Sequence, residues 1–387
     1  MPPAASPHGP LSGVRAVLVH DWLTGMRGGE KVLEAFCRLL PGAPIFTLLH
    51  LPGTVSGRIE SHPIRTSFLQ HMPLVGRFYR HYLPLFPRAV ESFRLPGVDL
   101  VLSSSHCVAK GVEVPAGAVH VSYVHTPMRY VWDLYDAYFG SGRGGTARLV
   151  MPWLRPLLQR WDVRTAARVD HFVANSAHVA ARIRRHYRRR AVVIHPPVDT
   201  ARFRPVPPEE VEDYYLVVSA LVPYKRVELA VRACARSGRR LKVVGTGPEL
   251  ARLQKLAGPT VEFLGWQPDA EVARLYARAR ALIFPGEEDF GITPVESMAA
   301  GRPVVAFARG GALETVVGLD DARGRPPTGV FFLRQNEDAL VAALEELEGC
   351  LERFDPWTLH SHARGFDTAV FLERMSAYLQ EVLARRR

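Results

Sequence analysis

The stretch Gly286-Glu287-Glu288-Asp289-Phe290-Gly291-Ile292-Thr293-Pro294-Val295-Glu296-Ser297-Met298-Ala299-Ala300-Gly301-Arg302-Pro303-Val304-Val305-Ala306 decides how this chain is read. It follows an apolar run, Ala281-Leu282-Ile283-Phe284, that reads as a buried parallel strand. Thr293-Pro294 reads as a helix N-cap with proline at the first helical position. Glu288 then lies in a loop at a strand's carboxyl end, and Glu296 falls in the first turn of the next helix. A second strand, 303–307, comes at once, so the unit is strand–loop–helix–strand. In an open α/β sheet, ligands bind in the crevice outside the carboxyl ends of the strands. Two carboxylates on such a loop suit a polyhydroxylated ligand, because each accepts hydrogen bonds from vicinal hydroxyls. A glutamate early in a helix also answers to the helix dipole alone, so the surrounding string carries the reading.

Working outward, similar units recur on both sides. In the first half, strand candidates are 14–20, 45–49, 100–103, 119–124, 172–174 and 192–194, with a helical pattern over 31–40. In the second half they are 215–218, 241–244, 261–264, 281–284 and 303–307. Strands alternating with helices imply parallel sheets covered on both faces. The segments 69–93 and 132–161 are aromatic-rich and irregular and read as insertions rather than core. The proline-rich joint His195-Pro196-Pro197-Val198 through Pro205 is the natural boundary. The expected division is 1–205, 206–365 and a last helix within 366–387, whose Phe371, Met375, Leu379 and Val382 share one apolar face.

At 387 residues, with 47% hydrophobic and 22% charged side chains, the chain is long for one core and comfortable for two domains. No run approaches the roughly 18 apolar residues of a membrane-spanning helix. Residues 1–7 lack the basic and apolar regions of a signal peptide and are expected to fray, which favours a cytoplasmic protein. Cys37, Cys107, Cys234 and Cys350 are far apart, without metal-ligand spacing, and are expected to be reduced thiols. Residues 1–205 carry 26 Lys+Arg against 12 Asp+Glu, and the remainder carries 23 against 26. The basic half suits an anionic membrane surface or an acidic substrate, and equally a set of solvated arginine-bearing helices such as 183–190. No recognised nucleic-acid-binding motif accompanies those arginines.

If the polyhydroxylated ligand carries a diphosphate, as an activated sugar does, its site needs positive charge or aligned backbone N–H groups. No Asp-x-Asp triplet occurs to hold a metal there, so a site without metal or other cofactor is expected. Three features can take the metal's place. Gly28-Gly29 at a helix start brings amides and the helix dipole to phosphate. Lys225-Arg226 follow a strand in Ser219-Ala220-Leu221-Val222-Pro223-Tyr224-Lys225-Arg226. Gly245-Thr246-Gly247-Pro248 makes a third turn after the next strand. Each has a plain alternative: a common turn, a solvated basic pair, and a glycine pair too short for a dinucleotide fingerprint. His125 ends the strand 119–124, where side chains face the crevice. His20 and His106 also lie near strand ends. Trp266 either flanks a nucleobase or belongs to the core.

The string over 285–306 resembles the signature of the retaining glycosyltransferases of family 4, which have the GT-B fold: Glu-x7-Glu, an Ala/Ser-rich helix, then Gly-x-Pro-Val-Val. The Gly-Gly loop, the basic loop and the Gly-x-Gly-Pro turn resemble that family in the same order. The resemblance implies two Rossmann-like doubly wound domains facing a central cleft, with the C-terminal helix crossing back to the first. It implies that His125 and Glu288 act at the donor sugar and that Glu296 holds the nucleotide ribose. Asp289, Phe290, Gly291 and Ile292 would bind sugar and phosphate through their amides, and Gly28, Gly29, Gly245 and Trp266 would line the nucleotide. Lys225 would stabilise the leaving diphosphate, with Arg226 standing in for the family's usual arginine, whose place is taken by Ala220. Asp289 likewise stands where glycine is common. A front-face retaining attack, in which the leaving phosphate accepts the acceptor's proton, is the implied route. The strings 124–132 and 287–292 resemble the mannosyltransferases of lipopolysaccharide and exopolysaccharide assembly. They imply GDP-mannose as donor and a glycan or polyprenyl-diphosphate-linked acceptor at the inner face of the cytoplasmic membrane. A UDP-sugar donor with a soluble acceptor, or a non-catalytic nucleotide-sugar-binding module, are the alternatives.

Overall fold

The computed structural model describes residues 11, 13–133, 135 and 147–385. The expected fraying of residues 1–7 concerns residues outside that set. The chain divides into two compact units, 1–197 with 369–387, and 198–368.

In the first unit the strands are β1 (Ala16–His20), β2 (Ile45–Thr47), β3 (Ile64–Thr66), β4 (Leu100–Ser105), β5 (Val119–Val124), β6 (His171–Ala174) and β7 (Ala191–Val193). All neighbours pair in parallel, in the order β3-β2-β1-β4-β5-β6-β7. In the second unit they are β8 (Tyr215–Val218), β9 (Leu241–Val244), β10 (Val261–Gly265), β11 (Ala281–Phe284), β12 (Val304–Phe307) and β13 (Gly329–Phe332). Here too every pair is parallel, in the order β10-β9-β8-β11-β12-β13. Each sheet grows outward from its first strand and then reverses. The reversal leaves a crevice between β1 and β4 in one unit and between β8 and β11 in the other.

Central strands are buried on both faces, which is why they read as continuous apolar runs. β1, β4, β5, β11 and β12 are buried at every position. The strands absent from the sequence reading are β3 and β13, both at sheet edges. β3 (Ile64-Arg65-Thr66) is only partly buried and carries no such run, whereas β13 (Gly329-Val330-Phe331-Phe332) carries a short one that was passed over.

Four helices carry or support the candidate site: α1 (Gly28–Leu39), α2 (Ala147–Ala166), α3 (Ile292–Ala299) and α4 (Thr368–Ala384). α4 closes the first unit's core: Phe371, Met375, Leu379 and Val382 are buried with Phe36 and Tyr123. A buried side chain of that size contributes roughly 1.5–3 kcal/mol, so this helix is integral to the unit.

The described parts of the segments read as insertions contribute to a core; residues 134 and 136–146 lie outside the described set. Leu69, Val75, Tyr79, Leu83, Phe86 and Phe93 pack with Met151, Leu158 and Trp161 of α2 against Val17, Val19 and Trp22. Short helical turns over 68–91 explain the miss. None is long enough to show a helical period, yet each buries one or two large side chains.

Among the described residues no helix is long and apolar enough to cross a membrane. Cys37, Cys107, Cys234 and Cys350 are free thiols.

Candidate functional site

In the second unit, the loops that leave β8, β9, β11 and β12 at their carboxyl ends are tied together. The Leu221 N–H donates to the Thr246 carbonyl (2.9 Å), joining the loops after β8 and β9. The Gly311 N–H donates to the Glu288 carbonyl (2.8 Å), joining the loops after β12 and β11. Gln335 links the remaining pieces, donating to the Pro285 carbonyl (2.9 Å) and accepting from the Arg226 guanidinium (3.0 Å). Two glycines make this approach feasible. A Cβ at Gly286 would lie 2.9 Å from the Lys225 carbonyl oxygen, and one at Gly311 would lie 2.3 Å from the Phe290 Cα.

This scaffold sets Lys225 Nζ in an ion pair with Glu288 Oε2 across the β8/β11 reversal. Both side chains are more than four-fifths buried. A lysine and a carboxylate so placed offer a cation to phosphate and an acceptor to hydroxyls within one crevice. Glu296 lies in α3, where its carboxylate accepts a hydrogen bond from the Tyr276 hydroxyl (3.1 Å). Burial, and next the Glu296 charge, push the Tyr276 phenol well above its ordinary range, so it stays a donor.

α3 begins two residues earlier than its sequence suggests. Its N-cap is Gly291, at φ +83°, rather than Thr293, so Pro294 is the third helical residue and Glu296 enters the second turn. A left-handed cap is glycine's conformation, and the Thr-Pro signal obscured it. Asp289 and Phe290 are buried, and Phe290 packs on Phe366 (5.9 Å between centroids). Trp266, in the loop after β10, is 74% exposed, which removes the core alternative. Arg226 is held by Glu228 (2.5 Å) and Gln335, so it would have to leave both to meet a phosphate. Gly245 and Gly247 pack on the backbone of the β8 loop: a Cβ would come within 1.9 Å of the Ser219 carbonyl oxygen and 2.3 Å of that of Leu221.

In the first unit, Gly28 and Gly29 are the first two residues of α1. A Cβ built on Gly29 would meet three imidazoles, His20 at 3.4 Å, His125 at 3.8 Å and His106 at 3.9 Å. Ser104 of β4 stands between two of them. Its hydroxyl lies 3.1 Å from His20 Nδ1 and 2.8 Å from His125 Nε2. His106 Nδ1 lies 3.1 Å from Asp21 Oδ2, and Asp21 also accepts the backbone N–H groups of His106, Cys107, Val108 and Ala109. Burial opposes the Asp21 charge, but the His106 ring and those amides hold its carboxyl below the ordinary range. Burial likewise lowers the His106 imidazole, with Asp21 pulling the other way.

Within the second unit the structure thus gathers Lys225 and Glu288 into one ion pair and joins their loops to Asp289–Ile292. Within the first it gathers Gly29 and His125. Sequence reasoning missed Tyr276, Gly311, Ser104 and Asp21. Asp21 directly follows His20 at a strand end, a signal that was present; the other three depend on contacts made across the sheet.

Two doubly wound parallel sheets in one chain define the GT-B class of fold. The comparisons agree. The family "Glycosyltransferase Family 4" matches residues 26–202, and "Glycosyl transferases group 1" matches 199–353. A GDP-mannose-dependent alpha-mannosyltransferase of Mycolicibacterium smegmatis is 32% identical over 207 residues, 52% of this chain and 54% of that protein. A GDP-mannose-dependent alpha-(1-6)-phosphatidylinositol monomannoside mannosyltransferase of the same organism is 33% identical over 180 residues, 39% of this chain and 45% of that protein. The chain therefore spans about half the length of the curated relatives it matches here. Among solved structures, sucrose-phosphate synthase from Thermosynechococcus elongatus superposes with a TM-score of 0.70 at 17% identity, covering 96% of this chain and 100% of that one. Anabaena HepE in complex with UDP gives 0.65 at 18% identity, covering 94% and 100%. The chain belongs to glycosyltransferase family 4 and has the GT-B fold.

Proposed function

We propose that this protein transfers a hexosyl group, with retention, from a nucleoside-diphosphate sugar to a glycan or lipid-linked glycan acceptor. Mannose from GDP-mannose is the first-choice donor. The observation that carries the reading is the Lys225–Glu288 pair at the β8/β11 reversal, with Glu296 on the adjoining helix. In this reading Lys225 turns from Glu288 to the diphosphate and stabilises the charge that grows as the glycosidic bond breaks. Glu288, released, accepts sugar hydroxyls, and Glu296 takes the ribose. Amides of Asp289, Phe290, Gly291 and Ile292, at the start of α3, assist with sugar and phosphate. Gly28, Gly29, Gly245 and Trp266 line the nucleotide, and His125 acts at the sugar. The leaving phosphate takes the acceptor's proton, so no protein carboxylate is required as nucleophile.

The mannosyltransferase names of the two relatives support the donor assignment. A second reading has a soluble acceptor and another donor such as a UDP-sugar. It is favoured by a D-inositol 3-phosphate glycosyltransferase of Nocardia farcinica, 32% identical over 255 residues, 56% of this chain and 54% of that protein. The excess of basic residues in 1–205 would serve an anionic membrane surface in the first reading and a phosphorylated acceptor in the second.

A thermal-melt panel of GDP-, UDP-, ADP- and dTDP-sugars tests the proposal, because a ligand raises stability by RT ln(1 + [L]/Kd). GDP-mannose is expected to give the largest shift. A larger shift with UDP-sugars moves the donor assignment to the second reading, and no shift at millimolar concentration sinks both.

A further inference from the structure

We infer that Ser104 is a positioning residue that fixes which ring nitrogen of His125 carries the proton, through a chain running Glu30–His20–Ser104–His125 whose first link is electrostatic and whose other two are hydrogen bonds. The inference rests on the reading of His125 given under the proposed function. It adds three residues to which that reading gives no role.

The chain is a product of sheet register. His20 and Ser104 are paired positions of neighbouring parallel strands. The β4–β5 pairing runs to Ser105 opposite Val124, and the His125 N–H continues it by donating to the Ser105 carbonyl (2.9 Å). Directly opposed residues of parallel strands project to one face. The Ser104 hydroxyl thus falls between two imidazoles, one from the end of β1 and one from just beyond β5. Ser104 and His20 are fully or almost fully buried, so no solvent competes for the bond between them.

Proton accounting gives the direction. Glu30 is the third residue of α1, and its Oε2 accepts the Arg27 backbone N–H (3.0 Å). Its Oε1 faces His20 Nε2 at 3.8 Å, outside bonding distance but with both groups buried. Burial would raise the Glu30 carboxyl, yet the His20 ring holds it below its ordinary range, so it is ionised. A carboxylate at that distance in a dry site favours a proton on the facing nitrogen. His20 then carries its proton on Nε2 and offers Nδ1 as an acceptor. The Ser104 hydroxyl has one proton and donates it to His20 Nδ1. Its oxygen is left to accept, so His125 must present Nε2–H to it. His125 Nδ1 is thereby the basic nitrogen, an acceptor for a hydroxyl proton. The opposite tautomer would set two bare nitrogens against one hydroxyl proton. A second-sphere hydrogen bond that sets a histidine's tautomer also sets what the other nitrogen does.

The test has two readouts. Nitrogen-15 spectra of the ligand-free protein, with the His125 resonances assigned by their loss in His125→Gln, are expected to show Nε2 protonated. In Ser104→Ala that preference is expected to disappear. Turnover with the sugar nucleotide that gives the largest melt shift is expected to fall about 10- to 100-fold in Ser104→Ala, with donor KM changed less than about threefold. Ser104→Thr, which keeps the hydroxyl, is expected to recover most of it. Protonated Nδ1 in the wild type, or an unchanged His125 spectrum in Ser104→Ala, overturns the relay. Impaired His125→Gln beside unimpaired Ser104→Ala also overturns it, alone. Undiminished transfer by His125→Gln overturns instead the role given to His125 at the sugar.

Discussion

Glu288 and Lys225 neutralise each other in the absence of a ligand, so removing one acts on both. Glu288→Gln keeps the shape and a hydrogen-bonding oxygen while deleting the charge. Transfer is expected to fall at least about 100-fold, of the order seen when one stabilising group is removed from a transition state. The fold should be kept with a melting temperature lowered by several degrees at most, because glutamine still offers an oxygen to Lys225 although this largely buried cation loses its countercharge. Full activity in that variant would remove Glu288 from the site. His120 makes a separate prediction about acid stability. It is fully buried, with Nε2 2.9 Å from the Ser103 hydroxyl, and burial lowers its imidazole to about 4. Between that value and the unfolded value of 6.5 the unfolded chain binds more protons, so stability falls as pH falls through this window. The loss is about 3 kcal/mol. Asp21 and Glu30 add their own loss only as pH nears their unfolded values, 3.8 and 4.5, where the unfolded chain takes up protons that the folded carboxyls refuse. Urea titrations at pH 7 and about 4.5 should show a shallower decline for His120→Gln. Equal slopes would exclude His120 as the cause.

At the scale of the element, the site is a set of loops clamped by backbone contacts. Gly311→Ala places a Cβ 2.3 Å from the Phe290 Cα, a clash with backbone that no rotamer relieves. It should cost about 1–3 kcal/mol in urea melts and abolish the nucleotide-sugar melt shift. A stable variant that still binds would show that the loop after β12 does not shape the site. Much of this level was legible in advance. β5, β8, β9 and β11 lie at the expected residues, because strands buried on both faces are predominantly apolar, and His120, Ser122 and Lys242 do not break the runs. The start of α3 was misread, since Thr293-Pro294 imitates a cap that Gly291 in fact makes. The segments 69–93 and 132–161 were read as insertions, since the turns over 68–91 are too short to show a period and Pro152 and Pro156 interrupt the pattern of α2, although their aromatic side chains fill a core.

At the scale of the whole molecule, the charge asymmetry is the feature with consequences in solution. Residues 1–205 hold 26 basic against 12 acidic side chains. If they serve an anionic surface, the protein should float with phosphatidylglycerol vesicles at low salt and be released near 1 M, where the screening length is about 3 Å. Flotation on neutral vesicles as well, or on neither, would count against that role. The two-unit division itself follows from chain length and from the two strand series, each with its own core.

What the amino-acid sequence determined alone was the class of fold, the strands at each sheet's centre and the placing of Glu288 in the loop after β11. These signals are local: apolar runs, glycine turns and carboxylates at fixed spacing along one stretch of chain. The tertiary structure alone decided that Lys225 meets Glu288, that Tyr276 meets Glu296, that Gly311 lies on Phe290, and that Ser104 joins His20 to His125. Each of those pairs spans a sheet reversal, a strand register or a loop approach. No spacing along the chain encodes such a meeting, because it is fixed by which strands become neighbours and by where each one ends.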